Sequence, residues 1–177
     1  MSGHEHASQA PATWLAANRG LLPSSGRALD VACGRGRNAF WLAGQGFDTT
    51  AIDRDAAAVA ALQDRARREG LSLTSYAMDL EAGDATLGID AYDVIVVVHY
   101  LHRPLFPALR AALRPGGVLV YETFTLAQAA RGRPTNPAFL LEPGELTRLV
   151  SPLEILAARE GDYEERMVSS VVATRPV

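Results

Sequence analysis

Three aspartates stand where short apolar runs end: Asp30 in "LDVACGRGRN", Asp53 in "AIDRD" and Asp79 in "YAMDL". In open parallel α/β sheets, ligands sit beyond the carboxyl ends of the strands. Acids at three such ends can therefore frame one crevice. A glycine turn follows Asp30, and Gly34, Gly36 and Ala39 spell G-x-G-x-x-A. That spacing is the fingerprint of a dinucleotide phosphate loop, whose glycines let the backbone bend tightly and approach a ligand. Asp30 argues against a phosphate there, because a pyrophosphate needs backbone donors and positive charge. Asp53 lies about 20 residues beyond Gly34, where a carboxylate accepts hydrogen bonds from both ribose hydroxyls. Asp79 can accept from an exocyclic adenine amine. Each acid alone reads equally well as a helix cap or a solvated turn residue. Together they describe an adenosine whose other end is a cationic amine or sulfonium rather than an anion.

A second group of candidates follows later in the chain. His99, Tyr100 and His102 come directly after "YDVIVVV", and Tyr121, Glu122 and Phe124 lie in "YETF". Histidine titrates near neutral pH, and loops at strand ends carry function. His99 is the first candidate for a base or orienting group, while His102 begins the next helix. Glu122 sits in an otherwise apolar strand and needs a partner if buried. It is either half of a structural ion pair or an orienter of a second substrate. Arg131 and Arg133 lie in Thr125–Leu141, "TLAQAARGRPTNPAFLL", the longest run without a clear element. Such runs are often lids or binding loops. The two arginines are ordinary solvated side chains or cations held over an anionic substrate. Cys33, the single cysteine, cannot form an internal disulfide or a multi-cysteine metal site. As a small residue in the turn it packs like a hydrophobe.

The elements that must position these groups alternate in type. Strand candidates are Arg27–Ala32, Asp48–Asp53, Leu73–Met78, Tyr92–Val98 and Val118–Phe124. Helix candidates between them are Asn38–Gln45, Asp55–Glu69 and Leu105–Leu113. That rhythm implies an α/β fold with a parallel sheet and right-handed crossovers. The end of the chain breaks it. A short helix, Glu142–Val150, precedes two strand-like runs, Leu153–Arg159 and Met167–Thr174, joined by "EGDYEE". That connector is too short for a crossover helix, so the two runs pair antiparallel. Trp14, in an N-terminal helix "ATWLAANRG", packs on the body of the domain or over the crevice mouth.

The 177 residues allow one domain with one sizeable core. Hydrophobic residues make up 48% and charged residues 21%, and net charge is -3. This gives no basic footprint for nucleic acid or for an anionic membrane surface. No apolar run reaches the roughly 18 residues of a membrane span. The start, "MSGHEHASQAPA", lacks the apolar core of a secretory signal. The expectation is a cytoplasmic protein, monomer or homodimer, with residues 1–10 as a frayed tail containing His4 and His6.

These stretches resemble successive motifs of the class I S-adenosylmethionine (SAM) methyltransferases. The resemblance runs through "LDVACGRGRNAFWLA", the acid of "AIDRD", "YAMDL", "YDVIVVVHYLHR" and "LRPGGVLVYETF". It implies a Rossmann-like three-layer sandwich: a mostly parallel seven-stranded sheet with an antiparallel last strand. Within that family, "CGRGRN" followed by "WLA" is similar to small bacterial tellurite-resistance (TehB-like) enzymes. Those share a longer, basic connector before the last strand, where this chain has the acidic "EGDYEE". Fold and cofactor carry over; the metalloid substrate does not.

The resemblance implies that Asp30, Ala32, Cys33, Gly34 and Gly36 cradle the methionine end of SAM, and that Arg37 or Asn38 reaches its carboxylate. Asp53 would bind the ribose with Arg54 nearby, Asp79 and Leu80 would hold the adenine edge, and His99 would close the pocket near the sulfonium. Tyr100, Phe124, Arg131 and Arg133 would face a small-molecule methyl acceptor, with His99 and Glu122 as candidate catalytic groups. Methyl transfer needs no metal and no nucleophilic side chain. The product would be S-adenosylhomocysteine. Rival readings are a non-catalytic SAM-binding module and a nicotinamide-dependent oxidoreductase using the same glycine turn.

Overall fold

The seven strands form one sheet in the order β3-β2-β1-β4-β5-β7-β6. This computed structural model describes residues 10–83 and 85–177; the segment read as a frayed tail, with His4 and His6, lies almost wholly outside them. β1 (Arg27–Val31), β2 (Asp48–Asp53), β3 (Leu73–Ala77), β4 (Tyr92–Val98) and β5 (Leu113–Phe124) run parallel. β7 (Arg166–Thr174) is antiparallel to both β5 and β6 (Glu154–Tyr163). The strand order reverses between β1 and β4, which is where such sheets bind ligands.

Helices α1 (Thr13–Ala17), α2 (Arg37–Gly44) and α3 (Ala56–Glu69) cover one face. α4 (Phe106–Ala112) and α5 (Glu145–Val150) cover the other. β4 shows why its sequence is a continuous apolar run. Val94 and Val96 pack toward α1 and α2, Ile95 and Val97 toward α4, and all four are buried. Side chains alternate across a strand, so one covered on both faces has no polar positions. α3 starts where Asp55 accepts hydrogen bonds from the N–H groups of Ala57 and Ala58. It stops at Gly70 in the left-handed conformation. Its buried stripe is Val59, Leu62 and Ala66. Such an N-cap contributes about 1 kcal/mol.

Several boundaries differ from expectation. "EGDYEE" is mostly strand: β6 continues through Tyr163, and only Glu164 and Glu165 form the turn, at φ +55° and +63°. Two left-handed residues in a two-residue loop match the twist of a hairpin. The polar composition misleads because β6 is an edge strand whose side chains are largely solvated. Pairing on β5 starts earlier than expected, at Leu113 opposite Tyr92, and "RPGG" loops out before Val118 meets Val94. A Cβ on Gly117 would lie 2.9 Å from the Arg114 carbonyl oxygen, so only glycine fits. α5 begins at Glu145, not Glu142.

Residues 125–141 form a tied wall rather than a structureless lid. They contain two 3-10 turns, Leu126–Ala130 and Pro137–Phe139, and their ends meet in a Thr125–Leu141 bridge. Arg103 donates to the carbonyls of Ala138 and Leu140, both at 3.0 Å, and pairs with Glu145 at 2.5 Å. Buried Gln128 accepts the Met167 N–H at 2.8 Å, linking the wall to β7. The β3–β4 crossover, residues 78–91, has no helix among its described residues. Leu80 and Leu87 fold into the core there instead. No helix among the described residues is long and apolar enough to cross a membrane.

Candidate active site

A cavity of about 350 Å³ lies at the carboxyl ends of the central strands. Asp53, at the end of β2, lines it. Its Oδ2 accepts the Gly34 N–H at 2.8 Å and its Oδ1 the Asp55 N–H at 2.9 Å. One carboxylate thus ties the glycine turn to the neighbouring strand. Asp79 lines the same cavity and accepts the Glu81 N–H at 3.0 Å. Leu80 is its apolar neighbour, and Arg54 lies on the exposed rim. Tyr100 stands across from Glu81, hydroxyl to carboxylate at 3.5 Å. Burial, and then the Glu81 charge, push its phenol up to about 12.

The two glycines of the turn serve different ends. A Cβ on Gly36 would come within 2.3 Å of Leu62, so this glycine is required by the packing of α2 on α3. A Cβ on Gly34 would meet nothing within 4 Å; its left-handed φ of +54° sets the turn. Ala32 and His99 are also left-handed, at φ +54° and +57°, and both line the cavity. A non-glycine residue held there stores about 1 kcal/mol of strain.

Other predicted residues take supporting positions. Asp30 is 1% exposed and lies behind the turn, where it accepts the Ala39 N–H at 3.0 Å and so holds α2 in place. Burial pushes its carboxyl up to about 7, against the lowering effect of the Ala39 N–H and Arg37. Cys33 is half-buried beside the turn, and burial raises its thiol. Asn38 does not face the cavity: it is buried and accepts the Ala12 N–H at 2.8 Å, tethering the N-terminal segment to α2. Arg37 is half-buried and makes no hydrogen bond or ion pair among the described residues.

His99 donates its backbone N–H to the Glu122 carbonyl at 2.8 Å and stacks on Phe124 with ring centres 4.6 Å apart. Burial lowers its imidazole to about 4, helped by the charges of Arg166 and Arg37 and opposed by Glu122 and Glu164. Glu122 is half of an ion pair, not a group open to a substrate. Its Oε2 accepts from Arg159 at 3.0 Å and Ser170 at 2.5 Å. Strand alternation turns it toward the α1 face, where Arg159 stacks on the rings of Trp14 and Tyr163. Tyr121 points to the other face and donates to the Tyr100 carbonyl at 2.7 Å.

Arg131 is engaged by Asp162 at 2.6 Å. The Arg133 side chain is exposed, and only its backbone carbonyl is used, by Gln128. The neighbouring Pro134, with Phe139, completes the cavity wall. Sequence reasoning passed over Arg166. It opens β7 beside Phe124, since the next residue, Met167, accepts the Thr125 N–H at 2.9 Å. Reading "EGDYEE" as a loop hid the strand register that brings Arg166 here.

The arrangement joins carboxylates suited to hydroxyl and amine donors with a neutral imidazole between cations. Residues 28–117, half of the chain, match the protein family described as "Methyltransferase domain". Hemagglutinin 1 of Eikenella corrodens is 31% identical over 140 residues, covering 76% of this chain and 46% of that protein. The probable S-adenosyl-L-methionine-dependent methyltransferase TehB of Haemophilus influenzae is 29% identical over 83 residues, covering 47% of this chain and 29% of that one. The chain therefore spans less than half the length of these curated relatives. Among solved structures, Haemophilus influenzae TehB superposes with a TM-score of 0.75 at 20% identity, over 93% of this chain and 62% of that one. A SAM-dependent methyltransferase from Mesorhizobium loti superposes at 0.70 and 22%, over 90% and 96%. The fold is that of the class I SAM-dependent methyltransferases. The chain belongs to the methyltransferase-domain family, and SAM is the cofactor that this membership implies.

Proposed function

We propose that this protein moves the methyl group of SAM onto a small-molecule acceptor by in-line displacement. The observation that carries the reading is one cavity holding Asp53 and Asp79 at one end and the strained Ala32 and His99 on its wall. Its donor set fits the cofactor: carboxylates accept from ribose hydroxyls and an adenine amine, and Met78 and Leu80 offer apolar contact. Asp53 holds the ribose, Asp79 and Leu80 the adenine edge, and Ala32 and Gly34 border the methionine end, with Arg37 near its carboxylate. Asp30 acts through the turn, by holding α2, rather than by touching the ligand.

SAM, when bound, supplies a methyl group on a positively charged sulfur that leaves without acid assistance. What remains for the protein is to hold the acceptor in line and exclude water. His99, neutral above about pH 4, can take the proton of an acceptor that arrives protonated. Glu122 positions His99 through its backbone carbonyl. The wall of residues 125–141 limits the acceptor to a small molecule, and a net charge of -3 favours neither nucleic acid nor an anionic membrane as partner. A cytoplasmic location fits this reading.

Titration calorimetry with S-adenosylhomocysteine tests the cofactor half, and one-site binding is expected. No heat of binding would remove the reading. A homocysteine-release screen over small acceptors, with tellurite and selenite among them, then tests turnover. Binding without turnover of any acceptor would leave a SAM-binding module instead.

A further inference from the structure

On the acceptor side of the cavity, two arginines approach one imidazole from different elements. Arg37 comes from the first turn of α2 and Arg166 from the start of β7. Both charges act on His99, and neither guanidinium has a hydrogen bond or ion pair among the described residues. Nearby arginines behave differently: Arg159 is held by Glu122, Arg131 by Asp162 and Arg103 by Glu145. The closest acids are committed too. Glu122 is closed off by Arg159 and Ser170, and Glu164 accepts from the Thr13 hydroxyl. The adjoining wall is apolar: Phe124, Pro134 and Phe139 line it, and Phe139 is left 49% exposed.

Resting on the methyltransferase reading, we propose that the acceptor is an organic carboxylate. Its carboxylate is gripped by Arg166, with Arg37 beside it, and its apolar body lies on Phe124 and Phe139. A guanidinium fork matches a carboxylate with two parallel hydrogen bonds. Exposed aromatic surface in a cleft is covered by an apolar ligand body. An inorganic oxyanion would use the arginines and leave the rings wet; a neutral amine would use the rings and leave the arginines unpaired. Arg37 also borders the cofactor's amino-acid end, whereas Arg166 serves the acceptor alone.

The test is calorimetric titration of the full chain with benzoate, its neutral analogue benzamide, and sulfate. Each is run with and without saturating S-adenosylhomocysteine, and repeated on Arg166→Gln. Benzoate is expected to bind about tenfold more tightly than benzamide or sulfate. Arg166→Gln should weaken benzoate by about the same factor. Its affinity for S-adenosylhomocysteine and its circular dichroism should stay those of the parent. Benzamide or sulfate equal to benzoate overturns the proposal. So does benzoate affinity unchanged in Arg166→Gln, or absent in both states of the parent. Failure of S-adenosylhomocysteine to bind is a separate result, counting against the methyltransferase reading itself.

Discussion

The two ends of the cavity are built on opposite electrostatic plans. At the β1–β3 end, carboxylates face backbone: Asp53 takes the N–H groups of Gly34 and Asp55, Asp79 that of Glu81, and Asp30 that of Ala39. Every one of these bonds spans a local turn or two adjacent strands. At the β4–β7 end, cations face a neutral imidazole, and the residues concerned come from α2, β4 and the distant β6–β7 hairpin. The first end is a rigid receptor whose shape its own backbone defines. The second is a meeting of remote parts, with hydrogen-bonding capacity left over for a ligand.

The largest expected effect breaks the first end alone. Asp53→Ala should lower S-adenosylhomocysteine affinity by about 100-fold, because two hydrogen-bond acceptors for the ribose and the tie to Gly34 go together. Benzoate binding to the unliganded protein should be unaffected, and a loss there would show that the two ends are not separate.

The two ends should also respond to pH in opposite senses. The Asp30 carboxyl is raised from 3.8 to about 7 in the fold. Its contribution to stability is full below pH 3.8 and is lost as pH rises to about 7. Asp30→Asn removes that loss and should stabilise the unliganded protein by about 1–3 kcal/mol at pH 8. The gain should shrink toward pH 4, as followed by urea unfolding across the range. His99 is lowered from 6.5 to about 4, so its contribution is present above pH 6.5 and lost as pH falls toward 4. Imidazole proton resonances should show no titration between pH 5 and 8. A midpoint near 6.5 would place the ring in water and dissolve the contrast.

Smaller effects concern backbone strain. Ala32→Gly should raise stability by about 1 kcal/mol, or roughly 2–4 °C in melting temperature, by removing the penalty of a left-handed alanine. Glu165→Gly at the hairpin tip should add a few tenths to about 1 kcal/mol for the same reason. Glu164 is left in place, because it receives the Thr13 hydroxyl.

The β1–β3 end was legible in the sequence because its chemistry is local. An acid after an apolar run predicts a strand end, and glycines after it predict a turn; Asp53 and Asp79 follow from the same pattern twice more. What the pattern could not tell was which acid faces the ligand. Asp30 looked the most informative, yet it is buried behind the turn, since the alternation of β1 points it at α2 rather than at the crevice. The two glycines looked alike, but only Gly36 is forced by a neighbour, Leu62, which lies on another helix. The β4–β7 end was less legible because its partners lie far apart in sequence. Glu122 meets Arg159 and Ser170, and Arg166 arrives only through a register hidden in a polar edge strand. The wall at residues 125–141 was visible as a segment, but the role of Arg103 in tying it down carried no sequence signal.

The two-residue turn at Glu164–Glu165 has a consequence for how the chain folds. It makes β6–β7 the pairing with the shortest connection in the sheet, and closing so short a loop costs the least chain entropy. The parallel pairs must each bridge a crossover first, and β1–β4 bridges two whole strands. Local pairings form early and distant ones late. The hairpin bearing Arg159 and Arg166 can therefore exist as a preformed ribbon before β5 adds Glu122 to it. A mutation slowing that ribbon should slow folding itself, whereas one in the glycine turn should mainly speed unfolding.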